Sequence, residues 1–227
     1  MLREKTASRP QRPRDSSYER NVFISCPFDD EYTPIFEAIV FTIQACGFRP
    51  VCARSRLNSS DVRLYKILDL IASCRYSIHD LSRTELDRVS TLPRFNMPLE
   101  LGIDLGCRAF GAGQSEKSFL IFDRDRFRFQ TYISDIAGQD IADHENEPAK
   151  AIGRVRDWLR TEAERTNIPG AKAMQSRYVV FRTDLPAICE RFELDILALT
   201  FDDFVFVVSA WLTPPTPSPR ERNALLR

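Results

Sequence analysis

Several things are scarce in this chain of 227 residues, and each shortage removes a class of function. Glycine occurs only eight times, and the place after the first apolar run is taken by Cys26-Pro27-Phe28. A dinucleotide held on a Gly-x-Gly turn therefore has no cradle there. Gly-x-x-x-x-Gly-Lys-Ser/Thr is absent, which excludes a P-loop nucleotidase, and Gly-x-Ser-x-Gly is absent, which argues against a hydrolase nucleophile elbow. The two histidines, His79 and His144, stand far apart without metal-ligand spacing, so no metal site is expected. Six cysteines never form Cys-x-x-Cys, and no signal peptide is visible; they read as reduced core thiols of a cytoplasmic protein. Net charge is lacking too: 32 basic residues match 32 acidic ones, so no overall field favours nucleic acid or an anionic membrane. The longest strongly apolar run, Phe204 to Leu212, is too short to span a bilayer.

What is present is an ordinary globular composition, 43% hydrophobic and 28% charged, long enough for one full core with appendages. Residues 1–20 carry Arg3, Lys5, Arg9, Arg12, Arg14 and Arg20 among Ser, Pro and Gln, and read as a disordered basic arm. Between 21 and 165, short apolar runs alternate with helical periodicity. Asn21–Pro27, Phe48–Ala53, Tyr76–Leu81, Phe119–Phe122 and, weakly, Asp140–Asp143 read as strands. Helices are expected from Tyr32 to Cys46, from a Ser59 or Ser60 cap to Cys74, and from Pro148 to Glu164. Alternation at this spacing implies an open parallel α/β sheet of about five strands with helices on both faces, in a flavodoxin-like order. Residues 166–213 read as a small helical appendix, with Tyr178–Phe181 extended, a helix from an Asp184 cap to Phe192 and another over Phe201–Leu212; 214–227 is a proline-rich tail.

One helix stands out. Asn96 is a good N-cap type and Pro98 suits the first helical position, placing Glu100 in the first turn. Leu99, Leu101, Ile103, Leu105 and Phe110 leave little room for a wet face, while Glu100, Asp104 and Arg108 form one narrow polar stripe. Gly102 and Gly106, each costing about 1 kcal/mol of helix propensity, suggest close approach to another backbone. A buried helix with an acidic stripe admits a structural reading, with Glu100 at the positive helix end and Asp104 paired to Arg108. It also admits a functional one. In an open parallel sheet, ligands bind beyond the strands' carboxyl ends where strand order reverses. For the order 2-1-3-4-5 that point brings together the Ser25–Asp30 loop, the Asp80–Ser82 loop and Glu100.

Phe23-Ile24-Ser25 with acids at Asp29 to Glu31, and Asn96-Met97-Pro98-Leu99-Glu100-Leu101, resemble the first box and the glutamate element of TIR domains. Glu100-Leu101-Gly102 is similar to the corresponding step of nucleoside deoxyribosyltransferases. The resemblance covers roughly residues 21–160. It implies a flavodoxin-like fold and, in enzymatic members, cleavage of an N-glycosidic bond in NAD or a nucleoside, with the nucleotide as substrate rather than cofactor; many bacterial members are antiviral effectors. It places Glu100 at the catalytic carboxylate. Ser25 and Ser82 are then candidates to hold ribose hydroxyls and Phe28 to stack on a base, with Asp29, Asp80 and Asn96 lining the same site. Each has a structural role open to it as well: Ser25 can cap its own turn, Phe28 can be core and Asp80 can bind loop N–H groups. A non-catalytic signalling or nucleotide-binding module of this fold is the alternative, and self-association or an activating partner stays open.

Overall fold

The computed structural model describes residues 17–55, 62–85 and 94–213. Five parallel strands, β1 (Asn21–Ser25), β2 (Arg49–Cys52), β3 (Tyr76–Asp80), β4 (Ser118–Asp123) and β5 (Ala142–Asp143), lie in the order β2-β1-β3-β4-β5. This is the flavodoxin-like order expected from the sequence. The helices are α1 (Thr33–Ala45), α2 (Arg63–Ala72), α3 (Asn96–Phe110), α4 (Pro148–Glu162), α5 (Ala171–Arg191) and α6 (Phe201–Leu212).

Strand side chains alternate between two faces. Val22, Ile24, Tyr76, Ile78, Leu120 and Phe122 join the main core with α1 and α4. Phe23 packs instead against Ile67, Leu70 and Ile71 of α2, and Ile121 against Met97 and Leu101 of α3. Helix α1 is buried on nearly every side, from Ile35 through Ile43. Helices α5 and α6 explain this: Phe41 stacks on Phe181 at 5.2 Å, and Phe36 meets Phe201 at 5.9 Å. The C-terminal helices therefore belong to the same core as the sheet, forming a further layer outside α1 and α4.

Several local expectations are corrected. Tyr178–Phe181 is not extended but lies inside α5, whose buried Met174, Tyr178, Phe181, Leu185 and Cys189 recur at helical spacing. Asp184 is no cap; it sits within the helix and its carboxylate accepts from Trp211 Nε1 at 2.9 Å. Pro186 is accommodated inside α5 although it removes one intrahelical bond; tertiary burial overrides the β-branched Val179-Val180 signal. Order reaches further back than residue 21, because Tyr18 is buried and its hydroxyl donates to Gln114 at 3.0 Å. The rest of the basic arm, the Ser59 or Ser60 cap and the proline-rich tail lie outside the described residues.

Candidate functional site

Helix α3 begins one to two residues earlier than its capping residues suggest. Phe95 is the N-cap, without a side-chain cap bond, and Asn96 is the first helical residue, exposed rather than capping. Pro98 falls at the third position, still among those whose N–H has no helical partner. Glu100 is thus fifth, past the first turn. The face that α3 turns to the sheet is mixed, burying two acids beside Met97 and Leu101. Glu100 and Asp104 face the sheet at 9% and 0% exposure, while Phe95, Leu99 and Phe110 are 67%, 57% and 91% exposed. Gly102 and Gly106 meet nothing within 4 Å of an added Cβ, so the close backbone approach expected there is not made within the described chain. Asp104 does not pair with Arg108, whose guanidinium lies over the Phe119 ring at 5.7 Å.

The acids can turn inward because the sheet presents polar residues to them. Ser25 and His79 are register partners on neighbouring strands, and both lie on the α3 side. Burial pushes the Glu100 carboxyl above its usual range, opposed by the Ser25 hydroxyl and by the charges of His79 and Arg63. The Ser25 oxygen is buried and makes no hydrogen bond among the described residues. One turn on, Asp104 Oδ2 lies 3.0 Å from His79 Nε2, and Asp104 Oδ1 lies 3.1 Å from Lys117 Nζ. Burial would raise Asp104, but the His79 contact and charge and the Lys117 ammonium overcome it and hold the carboxyl below its usual range. Lys117 also donates to the Ile71 carbonyl at 2.8 Å and to that of Cys74.

Asp80 and Ser82 do not join this group. Asp80 points from β3 toward the opposite face, where it accepts from the Tyr32 hydroxyl, from Ser82 N at 2.8 Å, from the Ser82 hydroxyl and from His144 Nε2 at 3.0 Å. All four residues are at most 2% exposed. Asn146 N donates to His144 Nδ1 at 3.0 Å, which leaves the ring hydrogen on Nε2, aimed at the carboxylate. Burial acts to raise Asp80, yet the bonds from His144, Ser82 and Tyr32 win and its carboxyl is lowered. The cluster joins the loops after β1, β3 and β5 by hydrogen bonds, and its polar groups are already occupied. Phe28 is likewise engaged, edge-on to Phe36 at 5.6 Å with the Arg54 guanidinium 4.9 Å from its ring centre. Asp29 accepts from Tyr32 N at 3.0 Å and lies 3.6 Å from Arg83 and 3.7 Å from Arg94, binding the β1 and β3 loops together. Of the expected set, the fold brings Ser25 to Glu100; Asp80 and Ser82 form a separate buried cluster, and Phe28, Asp29 and Asn96 stand in other surroundings.

His79, Asp104 and Lys117 form a buried ionic chain on the same side of the sheet as Glu100. Asp104 and His79 had a sequence signal in the four-residue stripe and in the strand position after Ile78, whereas Lys117, at 1% exposure just before β4, had none. Tyr32 and His144 were likewise invisible as partners of Asp80, because each lies in a different segment. Among the described residues, no group of three or more His, Cys, Asp or Glu side chains could hold a metal ion. Comparisons with protein-family models, with curated proteins and with solved structures found no match to this chain.

Proposed function

We propose that the protein breaks or transfers an N-glycosidic bond of NAD or a related nucleoside or nucleotide, with Glu100 as the reacting carboxylate. One observation carries this reading: a carboxyl group turned inward beside the switch point between β1 and β3, next to the Ser25 hydroxyl and free of any ion pair among the described residues. A cation at the ribosyl carbon, formed as the bond to the base breaks, is stabilised or trapped by a carboxylate on the opposite side. Ser25 is then the group nearest to hand for a ribose hydroxyl. The resemblance to TIR domains and deoxyribosyltransferases supports the same carboxylate and suggests a bacterial defence role in the cytoplasm. No helix among the described residues is long and apolar enough to cross a membrane.

A non-catalytic module of the same fold is the second reading. The exposed Phe95, Leu99 and Phe110 on α3 favour it, since they offer a partner an apolar surface beside the same helix. Incubation of the full chain with NAD and a panel of nucleosides, following free base by chromatography, separates the two. Release by wild type and none by Glu100→Gln supports the enzyme; release that survives Glu100→Gln removes Glu100 from the chemistry.

A further inference from the structure

At the end of β1 opposite to Ser25, a cavity of about 170 Å³ opens between the chain entering β1 and the turn entering β2. Its lining is Ser17, Arg20, Asn21, Gly47, Phe48 and Arg49. Asn21 and Ser25 are the two ends of β1, about 13 Å apart at the rise of an extended strand. This cavity is therefore separate from the Glu100 crevice.

Local sequence builds both walls. On one side the single 3-10 turn Tyr18–Arg20 is held by the buried Tyr18, whose carbonyl accepts from Arg75 N at 3.1 Å. On the other, Gly47 takes a φ of +81°, which lets α1 end and the chain reverse into β2. Asn21 and Arg49 are register partners on adjacent strands, so Arg20 and Arg49 flank the same opening.

The lining carries two positive charges and no acid. Arg20 and Arg49 are exposed, and neither makes an ion pair or a hydrogen bond among the described residues. Glu19, the acid nearest in sequence, is paired with Arg75. A third guanidinium stands beside them. Arg165 lies over the Phe48 ring, 4.4 Å from its centre, and its Nη1 donates to the Cys46 carbonyl at 3.4 Å. In a chain with as many acids as bases, these arginines make a local positive field. Guanidinium forks match the oxygens of a phosphate group.

Asn21 adds a second requirement. It is 5% exposed, and its Nδ2 donates to the Ser73 carbonyl at 3.0 Å and to the Ser17 hydroxyl at 3.2 Å. Its Oδ1 is buried and accepts from nothing among the described residues. A hydroxyl would satisfy it. The cavity holds the volume of about six waters, at about 30 Å³ each, which suits a phosphoryl group on a short carbon chain and is too small for a whole nucleotide.

We infer that this cavity binds a small phosphate monoester bearing hydroxyl groups, with Arg20 and Arg49 on the phosphate and Asn21 Oδ1 accepting from a hydroxyl. The site stands apart from the chemistry at Glu100 and does not rest on it; no bond is made or broken there. Its occupant joins the segment before β1 to the turn before β2, and so stabilises the folded chain.

The test is titration calorimetry of the full chain with glycerol 3-phosphate, inorganic phosphate and glycerol, at low salt so that the arginines are not screened. One site for glycerol 3-phosphate is expected, with inorganic phosphate about tenfold weaker and no binding of glycerol. Arg20→Gln and Arg49→Gln should each weaken glycerol 3-phosphate by about tenfold or more, through loss of a charge-assisted contact. Both side chains are exposed, so neither substitution threatens the fold. Lys172→Gln, an equal loss of charge at an exposed position of α5, should bind as wild type does, and so should Glu100→Gln. No binding of glycerol 3-phosphate at millimolar concentration, or unchanged affinity in either arginine variant, overturns the site. Loss of binding in Glu100→Gln puts the anion in the crevice and overturns it too. Inorganic phosphate binding as tightly as glycerol 3-phosphate overturns the role of Asn21. Base release is not part of this readout, so its absence bears on Glu100 alone.

Discussion

Replacing Lys117 by Met isolates the energetics of the buried Lys117–Asp104–His79 chain. The substitution keeps the length of the side chain and removes its charge, at a site 1% exposed. Three partners are lost: the Asp104 carboxylate at 3.1 Å and the carbonyls of Ile71 and Cys74, which close the end of α2. Breaking a buried ion pair by removing one ion costs about 3–5 kcal/mol, because the other charge is left behind. Asp104 keeps His79, which places the expected loss toward the lower end, about 3 kcal/mol. For a chain of this size that corresponds to a fall in Tm of about 6–12 °C. Urea unfolding at neutral pH reads the same loss as a lower midpoint at unchanged slope. The double variant Lys117→Met with Asp104→Leu removes both ions and is expected to lose less than the sum of the two single losses, by about 1 kcal/mol or more. A loss below about 1 kcal/mol for Lys117→Met, or strict additivity in the double variant, refutes the reasoning that this pair compensates itself in the core.

Three further expectations concern other parts of the fold. Gly102→Ala and Gly106→Ala, where an added Cβ meets nothing within 4 Å, should each stabilise the chain by up to about 1 kcal/mol in denaturant unfolding; a loss at either position would reveal a close contact there. Asp80 is held below the usual carboxyl range, so its contribution is present above the unfolded-state value and disappears as pH falls through the lower folded-state value. Asp80→Asn should therefore destabilise by about 3 kcal/mol at neutral pH and flatten the acid side of the stability curve below about pH 4, and an unchanged acid limb would count against it. Phe181→Ala, which empties the place between Phe41, Phe204 and Trp211, should cost about 3–5 kcal/mol and unfold sheet and C-terminal helices in one transition; two separate transitions would mean that α5 and α6 form a core of their own.

The sequence by itself determined the strand and helix alternation, and with it the parallel sheet, because periodicity and breakers are local signals. It also singled out the helix bearing Glu100 and the β1 end bearing Ser25, which the fold does bring together. What it could not determine is which way α3 faces. Read alone, Leu99, Leu101, Ile103 and Leu105 leave little room for a wet face, yet in the fold Leu101 is buried while Leu99 is 57% exposed. The tertiary structure turns Glu100 and Asp104 inward because Ser25 and His79 arrive from two strands, and Lys117 from the segment before a third, to meet them. For the same reason Asp80 left the expected crevice: Tyr32, Ser82 and His144 come from three loops to occupy it. Burying a charge is favourable only with its partners in place, and partners distant in sequence are chosen by the fold.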